Sequence, residues 1–169
     1  MSAALSGIRK MMRYTAWANV KVFDAVAALP PGAAEAKTSG AAGSVMRTLN
    51  HVLVIDRIWQ ANLEGRAHGF EARNTPEHPP LAQMREEQAG MDAWYVAYAA
   101  SLDAARHDEV VRFTFVGGAP GAMTRGEILQ HVANHKTHHR GQVANMISAA
   151  GGKAPTMDLT VFARDVEPH

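Results

Sequence analysis

The stretch from Thr124 to Gly152 constrains the fold more than any other part of the chain. Thr124-Arg125-Gly126-Glu127 reads as a capping box, in which the threonine side chain caps a helix and the glutamate reaches back to the N-cap amide. Gly151-Gly152 stops the same helix at about Ala150. Between these marks, Ile128, Val132, Val143, Met146 and Ala150 fall on one side at helical spacing, with positions 135 and 139 in the same stripe. A long helix with one such stripe must bury it against other elements.

Three more helical stretches supply those partners. One runs from about Leu5 to Leu29, carries Ile8, Met11, Met12, Val22, Phe23 and Val26, and stops at Pro30-Pro31-Gly32. After a small-residue loop through Gly40 and Gly43, a second starts at Ser44, a good N-cap, and ends near Gly65. Its apolar arc between Val52 and Trp59 is wide enough for a helix covered on more than one side. A connector rich in Pro, His and Gly follows over residues 66–80, then a third helix from about Leu81 to Ala104. Val110 to Val116 is β-rich and short, and Gly117-Gly118-Ala119-Pro120-Gly121 turns the chain, which predicts a small extended or hairpin excursion. The expected architecture is all-α: a single domain over residues 1–169, built as a four-helix bundle with that excursion before its last helix.

Charge narrows the function. The chain has 169 residues and a formal net charge of +1, without the clustered Lys and Arg that a phosphate-tracking surface needs, so nucleic acid is not an expected partner. No apolar run approaches a membrane span and no signal-peptide core is visible, so neither a membrane nor secretion is expected. There is no cysteine, which removes disulfides, zinc ribbons and a cysteine nucleophile and fits a cytoplasmic protein. Histidine is the outlier: nine in all, four of them within residues 131–139.

His131, His135 and His139 are spaced four apart and project to one side of the last helix. His135 and His139 stand where the apolar stripe calls for leucine, while His131 and His138 fall on its flanks. Imidazoles facing a core need partners, because an unpaired buried polar group costs about 1–3 kcal/mol. Two readings satisfy them: a shared metal ion, or hydrogen bonds within the core. For a metal, His51 is the best third ligand, mid-helix in the most apolar part of the second helix and on the side of Ile55 and Ile58. His68, His78, His107 and His169 are expected to be solvated. Three imidazoles without a thiolate suit zinc or nickel first, and manganese or iron as well, rather than magnesium or calcium.

At these residues the sequence resembles the DinB/YfiT-like family of metalloenzymes. The resemblance spans nearly the whole chain. It rests on Tyr14-Thr15-Ala16-Trp17-Ala18-Asn19 in the first helix, on Ser44 through Gly65 with its single histidine, and above all on Asn134-His135-Lys136-Thr137-His138-His139-Arg140-Gly141-Gln142. It implies an up-down-down-up bundle, commonly a homodimer, with one divalent metal on His51, His135 and His139. Its characterised members include transferases that join bacillithiol, mycothiol or glutathione to small molecules.

Around the ligands, Gln142 shares the face of His139 and His135 and is a candidate to bond an imidazole or a metal-bound water, or to make a polar contact between helices. Asp56 is a candidate to orient a ligand ring. Arg140 reads first as half of a surface ion pair, with Asp56 one partner, and otherwise as a contact for an anionic substrate, and Trp17 and Tyr14 read as core or pocket wall. No glutamate adjoins the histidines, so no general base is identified, which favours thiol activation over hydrolysis. The functional expectation is a metal-dependent thiol S-transferase acting on small electrophiles. A non-catalytic metal protein and a metal-free helical interaction module remain the alternatives.

Overall fold

A computed structural model of the chain describes residues 3–38 and 43–168. Gly40, in the loop before the second helix, and His169 lie outside them. The described chain is mostly helical. Its elements are α1 (Ala3–Ala27), α2 (Val45–Leu63), α3 (Leu81–Ser101), α4 (Ala104–Asp108), β1 (Val110–Thr114), β2 (Pro120–Thr124), α5 (Arg125–Ala149) and α6 (Leu159–Asp165).

The capping chemistry operates as the sequence reads. The Thr124 hydroxyl accepts from the Glu127 amide at 3.1 Å, and Glu127 accepts from the Thr124 amide at 2.7 Å. Ser44 accepts from the Arg47 amide and starts α2. Such caps contribute about 1 kcal/mol each. Gly65 and Gly151, at φ +72° and +79°, end α2 and α5 in the left-handed conformation that only glycine adopts without strain.

The four long helices pack α1 on α3 and α5, and α2 on α5 and α3. Their relative directions follow from contacts at both ends. Arg9 donates to the carbonyls of Ala99 and Leu102 while Asp24 pairs with Arg85, so α1 and α3 are antiparallel. His51 meets His135 while Arg125 donates to the Leu63 carbonyl, so α2 and α5 are antiparallel. α2 is the element most enclosed, with Val52 through Ile55, Ile58 and Trp59 all buried. The wide apolar arc of its sequence is the cause.

Two boundaries differ from expectation. The third helix stops at Ser101 rather than near Ala104, because Asp103 caps a separate short helix, accepting from the Arg106 amide at 2.8 Å. A tail, to which the sequence assigns no element, runs on after Pro155. It forms α6, whose Phe162 is 1% exposed against Tyr14 and Trp17 of α1.

The expected excursion is an antiparallel hairpin with Val110 opposite Thr124 and Phe113 opposite Gly121. Val111 and Phe113 point inward, and Phe113 meets the Trp59 ring edge-on at 4.8 Å between centroids. Gly121 has no side chain for a steric reason: a Cβ there would stand 2.5 Å from the Phe113 ring and 2.8 Å from that of Phe115. The hairpin therefore lies flat on α2 and carries Thr114, Phe115 and Val116 over the cavity beside the histidines.

Candidate metal centre

α2 contributes His51 and α5 contributes His135 and His139. One ligand atom of each lies within 4.8 Å of the others, the arrangement a single ion requires. His51 Nε2 is 3.1 Å from His135 Nε2. Two nitrogens each about 2.1 Å from one ion at 90–109° stand roughly 2.9–3.4 Å apart, so this separation fits a shared ion.

The outer nitrogens of two rings are anchored. His51 Nδ1–H donates to the Arg73 carbonyl at 2.8 Å, and His139 Nδ1–H donates to Gln142 Oε1 at 2.7 Å. Both bonds fix the tautomer that leaves Nε2 with its lone pair turned inward. Gln142 is held in turn, its amide N–H donating to His138 Nε2 at 3.0 Å. Of the roles open to Gln142, the structure shows the bond to an imidazole. His135 Nδ1 is buried without a partner.

Burial keeps the rings neutral. It pushes the His135 imidazole down to about 3, with the neighbouring rings of His139, His51, His131 and His138 adding to the effect. His51 and His139 are lowered as well, first by burial. Neutral imidazoles with free lone pairs are the form a metal binds. A cluster of three histidines, two of them with their far nitrogens tied, fits a divalent transition ion.

The cluster forms one end of a cavity of about 370 Å³. Its walls are Ile55, Ile58 and Trp59 from α2, Thr114, Phe115 and Val116 from the hairpin, and His131 from α5, with Asn62 and Arg73 completing the lining. His131, in register with the other two, turns its ring onto Trp59 at 4.9 Å and forms wall rather than ligand. A larger polar hollow of about 490 Å³ lies near the start of α2, between Lys37, Arg47 and Asn74, and it gathers no comparable ligand set.

The buried stripe of α5 is not the one the apolar spacing suggests. Lys136 and Arg140, 1% and 5% exposed, occupy its centre, between Leu129, Val132, Ala133 and Val143. His135 and His139 stand beside that centre, turned to α2 and the cavity. Lys136 Nζ is 2.7 Å from both Asp56 and Asp92, so one cation ties α5 to α2 and α3. Gln88 donates to both carboxylates and Asn19 of α1 donates to Asp92. Nothing in the sequence reading singles out Lys136. The signal was Asp56, which together with Arg57 interrupts the apolar run Val52 to Trp59; a carboxylate on the buried side of such a helix demands a partner.

Several expectations are corrected here. Asp56 orients no ligand ring, because Lys136 and Gln88 occupy it. Arg140 is not in a surface ion pair. It is buried over the Tyr14 ring and donates to Asn19 and Thr137. Of the two roles read for Trp17 and Tyr14, core is the one they take: they pack on Phe162, away from the cavity. His107 sits in α4 against Gly126 with Nε2 buried, and His68 donates to the Thr114 carbonyl, so neither is simply solvated; His78 is exposed.

With that geometry established, likeness to known proteins can be placed on it. The family model described as "DinB family" matches residues 1–168. The chain is also 24% identical, over 156 residues, to the protein named Protein DinB of Bacillus subtilis (strain 168), an alignment covering 87% of this chain and 88% of that one. Since the family match runs through all three histidines and both helices that carry them, this chain belongs to the DinB family.

Proposed function

We propose that the protein is a metal-dependent enzyme. In this reading His51, His135 and His139 ligate one divalent transition ion, zinc or nickel ahead of manganese or iron, and a low-molecular-weight thiol is transferred to a small electrophile. The observation that carries it is the cavity of about 370 Å³ ending on the three histidines, since an ion seated there keeps a side open to a ligand. When bound, the ion supplies a Lewis-acid position that favours the thiolate over the thiol.

The chain's own residues do the rest. The Arg73 carbonyl and Gln142 hold two rings in the ligating tautomer. Ile55, Trp59, Phe115 and Val116 line the site with apolar surface and exclude water from an electrophile. In the reaction the thiol loses its proton to solvent, the sulfur–carbon bond forms as the electrophile's leaving group departs with its electron pair or as its double bond accepts the pair, and in the second case the adduct takes a proton back from solvent. No carboxylate lines the cavity to act as a general base, which supports thiol transfer over hydrolysis.

An up-down-down-up four-helix bundle, supported by the pairwise helix directions, a homodimeric assembly and a cytoplasmic location complete the reading. No helix among the described residues is long and apolar enough to cross a membrane. The test is a screen of bacillithiol, mycothiol and glutathione against chromogenic electrophiles, with zinc- and nickel-loaded protein beside metal-free protein. Metal-dependent conjugation with at least one thiol is expected, and no rate above the metal-free protein with any of them refutes transfer. A second reading, an ion that only staples α2 to α5, draws on the ligands coming from both helices. It requires a closed coordination shell, and an exchangeable water on the bound ion would exclude it.

A further inference from the structure

The charges around the cavity do not balance. Its three candidate ligands are imidazoles, which bind a metal as neutral rings, so they leave both charges of a divalent ion uncompensated. No Asp or Glu lines the cavity among the described residues. The buried carboxylates Asp56 and Asp92 are already engaged by Lys136 and do not line it. One cationic side chain, that of Arg73, does line it. The Arg73 guanidinium has no hydrogen bond or ion pair among the described residues, yet its residue is not free to wander, because its carbonyl is bonded to His51 Nδ1 at 2.8 Å. The bond to His51 thus fixes the Arg73 main chain beside the ligands, and its side chain lines the same cavity as Trp59, Phe115 and Val116.

We propose that Arg73 is the specificity-determining residue of this site, pairing with the carboxylate of a substrate whose apolar body lies against Trp59, Phe115 and Val116. This rests on the metal-site reading above and names the substrate class it takes: a small apolar electrophile that carries a carboxylate apart from its reacting centre. The apolar walls assign the carboxylate to the electrophile rather than to a hydrophilic thiol. Guanidinium recognition of a carboxylate is planar and two-pronged, which a neutral isostere does not reproduce.

The test uses 3-phenylpropanoate and its neutral amide, 3-phenylpropanamide, titrated calorimetrically into zinc-loaded protein and into zinc-loaded Arg73→Gln, with zinc content measured on the same samples. Because the bond to His51 comes from the main chain, Arg73→Gln is expected to keep its zinc and its melting temperature. The wild type is expected to bind the carboxylate about tenfold or more tighter than the amide. Arg73→Gln should lose about tenfold for the carboxylate and little for the amide. Equal affinity for the two probes, binding of neither, or carboxylate binding unchanged in Arg73→Gln overturns the proposal. If the protein takes up no zinc, the metal reading fails by itself. A carboxylate preference that persists in that protein and is lost in Arg73→Gln would still support the assignment of Arg73.

Discussion

Replacing Lys136 by methionine probes the charge network that sets α5 against α2 and α3. Methionine keeps the length and apolar stem of the side chain and deletes its charge. Lys136 is 1% exposed, with Nζ 2.7 Å from Asp56 Oδ2 and Asp92 Oδ1. In the variant two buried carboxylates lose their shared cation, while Arg140 remains committed to Asn19 and Thr137. Removing one partner of a buried pair costs about 3–5 kcal/mol. The cost must also depend on pH. Burial already pushes the Asp56 carboxyl up to about 6, against the pull of Lys136. Without the lysine it rises further above its unfolded value of about 3.9. A carboxyl whose folded pKa is raised costs stability while ionised and recovers it on protonation, so the variant regains stability as pH falls through that raised value. The wild type gains nothing comparable until pH reaches about 6. The difference between the two proteins should therefore be largest near pH 8 and shrink by about 1.4 kcal/mol for each pH unit between the variant's carboxyl pKa and 6. Urea unfolding of the metal-free proteins at pH 8 and pH 6 reads both quantities, and the acid titration of the imidazoles, common to both, cancels in the difference. A loss below about 1 kcal/mol, or one that is the same at both pH values, would refute the argument.

Three other outcomes are expected. Gln142→Leu frees the His139 ring and should weaken zinc binding about 10- to 100-fold without loss of helix content, measured by competition with a chromophoric chelator; unchanged affinity would show that the 2.7 Å bond to Gln142 does not orient the ligand. The three imidazoles are depressed below their ordinary value, so protons compete for the ligands only well into acid, and zinc affinity should stay flat from pH 8 down through the ordinary histidine value of about 6.5 and fall only below it, as pH reaches the depressed values. A fall already under way between pH 8 and pH 7 would contradict that sign. Gly121→Ala places a methyl 2.5 Å from the Phe113 ring, which should cost about 1–3 kcal/mol as the hairpin lifts from Trp59, seen as a lower melting temperature.

What was legible in the sequence divides along physical lines. The long helices and the hairpin were, because caps, glycine stops and apolar spacing are local signals. Asp103 shortened the third helix by offering its backbone a cap, and α6, seven residues with Phe162 as its buried member, is too short for periodicity to register. The histidines were legible as a cluster because a step of four places them on one side, and His51 because it interrupts an apolar face. The inner face of α5 was not. Positions 135 and 139 and positions 136 and 140 form two polar rows one residue apart on the same helix, and apolar spacing alone does not say which row turns inward. That is decided by carboxylates on α2 and α3, which are remote in sequence and meet Lys136 only on folding. The same division explains the site. The charged row spends its cation on Asp56 and Asp92, leaving the cavity without an anion of its own, while the neutral row beside it presents the lone pairs. A positive ion placed on that second row therefore depends on the incoming ligand for neutralisation, and a ligand that brings a negative charge is the one such a cavity is built to prefer.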